Sequence, residues 1–139
     1  AFAVGTKELV SQLVNLRMHA GMISPLPVQR AMIAALSDEN HVAVEKEIYR
    51  KRREILLGAV RDYGFELTDS EAGLYLWATL GRPALDTVSE MADLGILVVP
   101  GTFYGDHAPN HVRFSLTATD ADIAEAARRL RNAIGLRPA

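Results

Sequence analysis

The most constraining feature of this sequence is a pair of short apolar runs, at 96–99 and 111–116, separated by a glycine-rich loop. Both runs predict buried β-strands, and Pro100 and Gly101 end the first one. The second run carries one arginine, Arg113, among apolar neighbours. A guanidinium in a strand is costly to bury unless it meets an anion, and its planar fork fits a carboxylate through two parallel hydrogen bonds. Arg113 is therefore a candidate carboxylate receptor, and the alternative is an arginine on the solvated face of a half-buried strand.

Two further strands are predicted upstream, at 65–67 and 74–80, joined by a turn at 68–73. The alternation in the second of these places Tyr75 and Trp77 on one face and Leu76 and Ala78 on the other. The short spacing predicts a hairpin. We expect Trp77 to pack in the core.

Helical spacing of apolar residues predicts helices within 9–16, 28–36, 41–63, 84–94 and 119–134. Thr6, Ser24 and Thr119 are the expected N-caps. We expect helices to end at Gly64, Gly95 and Gly135, and residues 137–139 to form a tail. A basic run at 50–53 is flanked by glutamates, so a solvated helix face accounts for it better than a nucleic-acid site.

This order of elements predicts an α+β fold, with a small sheet of about four short strands and helices packed on one face. The 139 residues suffice for a real core. Their net charge of −2 offers no electrostatic footprint for nucleic acid or an anionic membrane, and no apolar run approaches the length of a membrane span. Cysteine is absent, which is compatible with the cytoplasm. His107 and His111 lack further ligands at convincing spacing, so no metal site is predicted.

The sequence PGTFYG at 100–105, followed by HVRFS at 111–115, resembles the C-terminal signature of the class I aminotransferases, which depend on pyridoxal phosphate. The sequence EAGLYLW at 71–77 resembles the stretch before a core strand of the same family. Within the family the chain is most similar to the N-succinyldiaminopimelate aminotransferases of lysine biosynthesis. The resemblance implies fold type I, with the end of the large cofactor domain and an active-site loop at 1–40. It implies the small C-terminal domain, with a long connecting helix, at 41–139.

The resemblance also implies roles for individual residues. Arg113 would bind the α-carboxylate of the amino-acid substrate, and Tyr104, in the loop that closes near it, is a candidate for substrate binding. Gly73 and Ser24 are further candidates for substrate binding, with Tyr75 as a second-tier candidate beside Gly73. His19, Met22 and Ile23 are candidates for specificity, because this connection in the family helps to read the distal end of the substrate.

The family's catalytic lysine, which holds the cofactor, has no match among Lys7, Lys46 and Lys51. We therefore assign no catalytic residue and expect the cofactor-binding residues to lie upstream of Ala1, with this chain inactive by itself. The intact parent would be a cytoplasmic homodimer that exchanges an amino group between an amino acid and a 2-oxo acid. Two alternatives stay open: a non-catalytic aminotransferase-like sensor domain of a transcription regulator, and a related pyridoxal-phosphate lyase.

Overall fold

The computed structural model describes residues 2–134. The predicted stop at Gly135 and the tail at 137–139 lie outside the described residues. Within the described part the elements follow in this order: α1 (Lys7–His19), α2 (Leu26–Leu36), α3 (Asn40–Asp62), β1 (Glu66–Leu67), β2 (Tyr75–Thr79), α4 (Ala84–Asp93), β3 (Val99–Pro100), a 3₁₀ turn (Gly101–Tyr104), β4 (His111–Ser115) and α5 (Asp120–Ala133).

The chain divides into two compact units, one up to residue 42 and one from residue 43. The first unit contains α1, α2 and the start of α3. The Thr6 hydroxyl accepts a hydrogen bond from the backbone N–H of Leu9 and caps α1, as predicted. The apolar side chains of α1 and α2 are mostly exposed, and neither helix has a fully buried residue.

The second unit is built on a four-stranded antiparallel sheet with the order β1-β2-β4-β3. The predicted hairpin is confirmed, since Glu66 pairs with Thr79 in its register. In the centre of the sheet Trp77 pairs with Arg113, and Arg113 also pairs with Val99 on its other side. The last strand in sequence is therefore an inner strand of the sheet. The predicted α+β fold with about four short strands is confirmed.

The strand predicted at 96–99 is shorter than expected. Only Val99 and Pro100 pair with β4, so the strand begins three residues late. Ile96 and Val98 are buried as expected, whereas Leu97 is 91% exposed. In this run, alternate side chains are thus buried in the core, although the backbone pairs with the sheet only from Val99 onward.

The core lies on one face of the sheet, where alternate residues of the two inner strands meet helical side chains. Leu76 and Phe114 from the strands are almost completely buried. The ring of Phe65 packs edge-on against Phe114, with 5.3 Å between ring centroids. The helices add Leu56, Val60, Met91, Ile123 and Leu130. This apolar burial fixes which face of each inner strand is turned away from the core, and that face carries Arg113.

The basic run at 50–53 does not form a uniformly solvated face. The prediction was wrong for Arg53 and also for Arg52, whose side chain is only 18% exposed and pairs with Asp120. Arg50 is exposed and pairs with Glu47 and Glu54, and Lys51 lies 3.5 Å from Glu47. Arg53, by contrast, is only 8% exposed. Its guanidinium reaches across to the turn before β2, where carbonyl and hydroxyl oxygens satisfy it.

Helix α5 begins at the predicted cap. The Thr119 hydroxyl oxygen accepts a hydrogen bond from the backbone N–H of Asp122 at 3.2 Å. Gly64 and Gly95 follow α3 and α4 with φ of 105° and 68°, which suits glycine at a helix end. Among residues 2–134, no helix has the length and apolar character needed to cross a membrane.

Candidate functional site

Arg113 lies on the face of the sheet opposite the core. The strand that carries it alternates, with Val112 and Phe114 buried in the core and His111, Arg113 and Ser115 half-buried on the other face. Because the alternation of a strand is strict, burial of the two apolar neighbours forces the guanidinium onto this second face. The side chain is therefore neither in the core nor fully exposed to solvent.

Two tyrosine rings lie within cation–π distance of the Arg113 guanidinium. Its central carbon, Cζ, lies 4.1 Å from the ring centroid of Tyr75 and 5.5 Å from that of Tyr104. Both distances are within the range of cation–π attraction. Tyr75 is diagonal to Arg113 in the β2–β4 register, a separation that long side chains bridge readily.

The same guanidinium makes no hydrogen bond and no ion pair with any residue that the structure describes. Its Nε atom is buried from solvent and has no acceptor there. A buried donor without an acceptor costs on the order of 1–3 kcal/mol, so a group in this condition is open to an added anion. Arg113 is thus not locked to an acidic neighbour within residues 2–134.

Tyr104 is brought to Arg113 by the 3₁₀ turn at Gly101–Tyr104, and it keeps 57% of its surface exposed. The turn packs closely at its first residue. A Cβ atom on Gly101 would overlap the carbonyl oxygen of Ala108 and lie 2.9 Å from that of His111. Only glycine allows this approach of backbone to backbone, so Gly101 sets the position of the loop that carries Tyr104.

Trp77 is not in the core, and that prediction was wrong. It is half-buried on the same face as Arg113. Its ring stacks on His111, with centroids 5.4 Å apart and planes at 10°, and meets Tyr104 edge-on at 5.7 Å. The alternation of β2 correctly paired Trp77 with Tyr75. The alternation alone does not indicate which face of β2 the helices cover.

Gly73 lies in the turn before Tyr75 and has a φ of 84°, which explains the glycine. Its carbonyl oxygen accepts a hydrogen bond from Arg53. The space beside its α-carbon is open, since a Cβ atom there would have no neighbour within 4 Å. Gly73 therefore lies two residues before Tyr75 in the sequence, and its carbonyl oxygen already has a hydrogen-bond partner in Arg53.

Ser24 belongs to the first unit and is exposed. The prediction that it caps α2 was wrong, because the N-cap is Pro25 and no side chain makes a capping hydrogen bond. The Ser24 carbonyl instead accepts a hydrogen bond from the Gln29 side chain at 2.8 Å. The hydroxyl is thus not used for capping. His19, Met22 and Ile23 are exposed in the same unit.

The described residues do not by themselves fit pyridoxal phosphate. Lys7, Lys46 and Lys51 all lie on exposed helix surfaces, and Lys51 is within ion-pair distance of Glu47. No cluster of three or more potential metal ligands occurs among residues 2–134. A cleft of about 490 Å³ in the second unit, lined in part by Ile96, Ile123 and Arg129, does not include Arg113. What the described face offers is one guanidinium held among aromatic rings.

Comparison with known proteins shows the family to which this chain belongs. The family model of class I and II aminotransferases matches residues 1–130. Two curated relatives are about half identical to the chain. "Probable aminotransferase Rv1178" of Mycobacterium tuberculosis is 50% identical over 93% of this chain and 31% of its own length. "4-dedimethylamino-4-oxo-anhydrotetracycline transaminase OxyQ" of Streptomyces rimosus is 48% identical over 91% of this chain and 35% of its own length.

Several more distant relatives, 30–36% identical, are LL-diaminopimelate aminotransferases of bacteria. Among solved structures, an aminotransferase from Neisseria meningitidis superposes with a TM-score of 0.82 at 27% identity, over 93% of this chain and 35% of that one. The chain spans about a third of the length of the curated relatives that it matches. Because the family model covers nearly the whole sequence, the chain belongs to the class I and II aminotransferase family.

Proposed function

We propose that the chain is the C-terminal part of a pyridoxal-phosphate-dependent aminotransferase and that Arg113 binds the α-carboxylate of its substrate. One observation carries the proposal. The Arg113 guanidinium is half-buried on an aromatic face, has no acidic partner within the described residues, and keeps a buried Nε without an acceptor. A substrate carboxylate would bind the outer N–H donors of this guanidinium, which have no partner among residues 2–134.

In this proposal the cofactor is held by residues outside the chain, and it supplies the electron sink for amino-group transfer. The contribution of the chain is to fix the substrate. A carboxylate gripped by two parallel N–H···O bonds has its α-carbon held in one orientation. Such positioning can lower a reaction barrier by several kcal/mol, up to about 10.

For the substrate we propose a diaminopimelate derivative, such as the N-succinyl form, with glutamate as the amino donor. The diaminopimelate aminotransferases among the relatives support this choice of substrate class. OxyQ, which is more similar to the chain, is named as a 4-dedimethylamino-4-oxo-anhydrotetracycline transaminase. The relatives therefore carry the names of different substrates. Gly73 is the residue proposed to contact the substrate beside Arg113, and Tyr104 is proposed to act in the same site through its contact with Arg113. Ser24 is proposed to contact the substrate held by the other subunit of the homodimer. The homodimer and the cytoplasmic location belong to the same proposal.

The test is replacement of Arg113 by lysine in the intact aminotransferase. Lysine keeps the charge but loses the bidentate fork, so KM for glutamate should rise by about 10-fold to 100-fold. The melting temperature should stay nearly unchanged, because Arg113 makes no hydrogen bond with the described residues. Arg128→Lys, on an exposed surface of α5, is the control and should leave KM unaltered. An unchanged KM would refute the carboxylate role, and a collapse of stability would show that Arg113 is structural.

A second experiment addresses the cofactor. Incubation of the 139-residue chain with pyridoxal phosphate, followed by borohydride, should give no stable adduct at a unique lysine. All three lysines are exposed and should react only weakly and alike. An adduct confined to one of Lys7, Lys46 and Lys51 would contradict the proposal that the cofactor is held by residues elsewhere.

A further inference from the structure

We propose that Tyr75 and Tyr104 are positioning residues, which hold the Arg113 guanidinium through cation–π contacts and leave its outer N–H donors for the substrate carboxylate. This inference rests on the proposed function, because it assigns the two rings a role in the same binding step.

A guanidinium is flat, and its two faces and its edge interact differently. All five N–H bonds point outward in the plane, whereas the faces can stack on aromatic rings. An acidic neighbour would hold the group by its edge and would compete with an incoming carboxylate. An aromatic ring attracts the charge and uses no donor. The Arg113 side chain shows this second condition: rings at 4.1 Å and 5.5 Å from Cζ, and a buried Nε without an acceptor among the described residues.

The two rings come from different parts of the second unit. Tyr75 is the first residue of β2, an inner strand of the sheet, and is 41% exposed. Tyr104 is the last residue of the 3₁₀ turn. The guanidinium is therefore restrained from the sheet and from the loop at once. A long flexible side chain that is restrained before binding loses less conformational entropy when the ligand arrives.

Tyr104 is itself held by a second stack next to the first. Its ring meets Trp77 edge-on at 5.7 Å, and Trp77 stacks on His111 with the planes almost parallel. Trp77 also lies beside the tightly packed Gly101 that opens the turn. Two diagonal pairs, Arg113 with Tyr75 and His111 with Trp77, thus run side by side on this face. Tyr104 touches one member of each pair and couples them.

The test uses the intact, cofactor-loaded aminotransferase and two aliphatic probes of the same shape, pentanoate and its uncharged amide, pentanamide. Tyr75→Met and Tyr104→Met remove the ring and keep apolar bulk, whereas Tyr75→Phe and Tyr104→Phe keep the ring. Each Met variant should raise the inhibition constant of the carboxylate by about 5-fold to 10-fold, from the loss of a cation–π contact. The Phe variants should stay within about 2-fold of the parent. The amide should bind equally to all of them.

Three outcomes would overturn the inference: Met variants that bind the carboxylate like the parent, Phe variants that lose as much as Met variants, or equal losses for the amide. If a Met variant lowers the melting temperature, the Leu variant at the same position replaces it. The Arg113→Lys enzyme separates this inference from the proposed function. If Arg113→Lys leaves carboxylate binding intact, the proposed function fails. If it abolishes binding while the tyrosine variants do not, only the positioning role fails.

Discussion

The guanidinium of Arg53, in the middle of α3, donates a hydrogen bond to the carbonyl oxygen of Gly73, 20 residues further along the chain. The other end of the same fork donates to the carbonyl and the hydroxyl oxygens of Ser70 at 2.9 Å and 2.8 Å. No carboxylate of residues 2–134 takes part. Burial lowers the pKa of Arg53 from its usual value, and the three oxygens compensate for the lost hydration. One helical side chain thus fixes the turn from which Tyr75 emerges.

Replacing Arg53 by methionine should lower the free energy of unfolding by about 2–4 kcal/mol. The apolar stem is retained, but the buried oxygens of the 70–73 turn lose their donor. Urea denaturation measures the change. Arg50→Met, one turn earlier on the same helix, is the control and should change stability little, because Arg50 is exposed with its ion-pair partners. Equal effects of the two substitutions would show that the Arg53 contacts do not matter.

Gly101→Ala should destabilise the protein by about 1–3 kcal/mol or more, because the added methyl group meets two backbone carbonyl oxygens that cannot turn aside. Gly58→Ala should do the opposite. Gly58 lies within α3, where the nearest atom to a Cβ is at 3.7 Å, and alanine there should add up to about 1 kcal/mol through helix propensity. Thermal unfolding of both variants checks the opposite signs. A neutral Gly101→Ala would mean that the loop shifts freely.

Thr119→Ala should cost about 1 kcal/mol, since it leaves the first turn of α5 without the hydroxyl that accepts from Asp122. Thr119→Ser keeps the acceptor and should restore most of the loss. Chemical denaturation of the three proteins gives the comparison. A serine variant as weak as the alanine variant would assign the effect to the lost methyl group instead of the cap.

Acid should destabilise the protein through Glu125. Hydrogen bonds from Arg128, and then from Arg129, lower the pKa of the Glu125 carboxyl from 4.5 to about 2. A carboxyl with a lowered folded-state pKa stabilises the fold at pH values above 4.5, and this contribution disappears as the pH falls to about 2. In Glu125→Gln, the unfolding free energy should therefore decline less steeply over this interval. Denaturant titrations at a series of pH values measure the slope, and an unchanged slope would contradict the assignment.

The apolar residues of 111–116 correctly predicted the strand that carries Arg113. The structure adds that Val112 and Phe114 are buried in the core, while Arg113 lies on the opposite face. Trp77 was assigned to the core because alternation separates two faces without telling which one the helices cover. Arg53 was assigned to solvent because glutamates flank the basic run, and its acceptors are 17 and 20 residues away. Contacts of that range are set by the packing of α3 on the sheet, which no local pattern records.

The place of β4 between β2 and β3 has a consequence for the order of folding. The β1–β2 hairpin is complete by residue 79, yet the strand that covers its open edge does not begin until residue 111. During synthesis, the edge of β2 that will pair with β4 therefore keeps its N–H and C=O groups unpaired until more than thirty further residues have been made. A chaperone that shields strand edges would have its greatest effect during that interval. The interval ends when β4, which carries Arg113, pairs with β2.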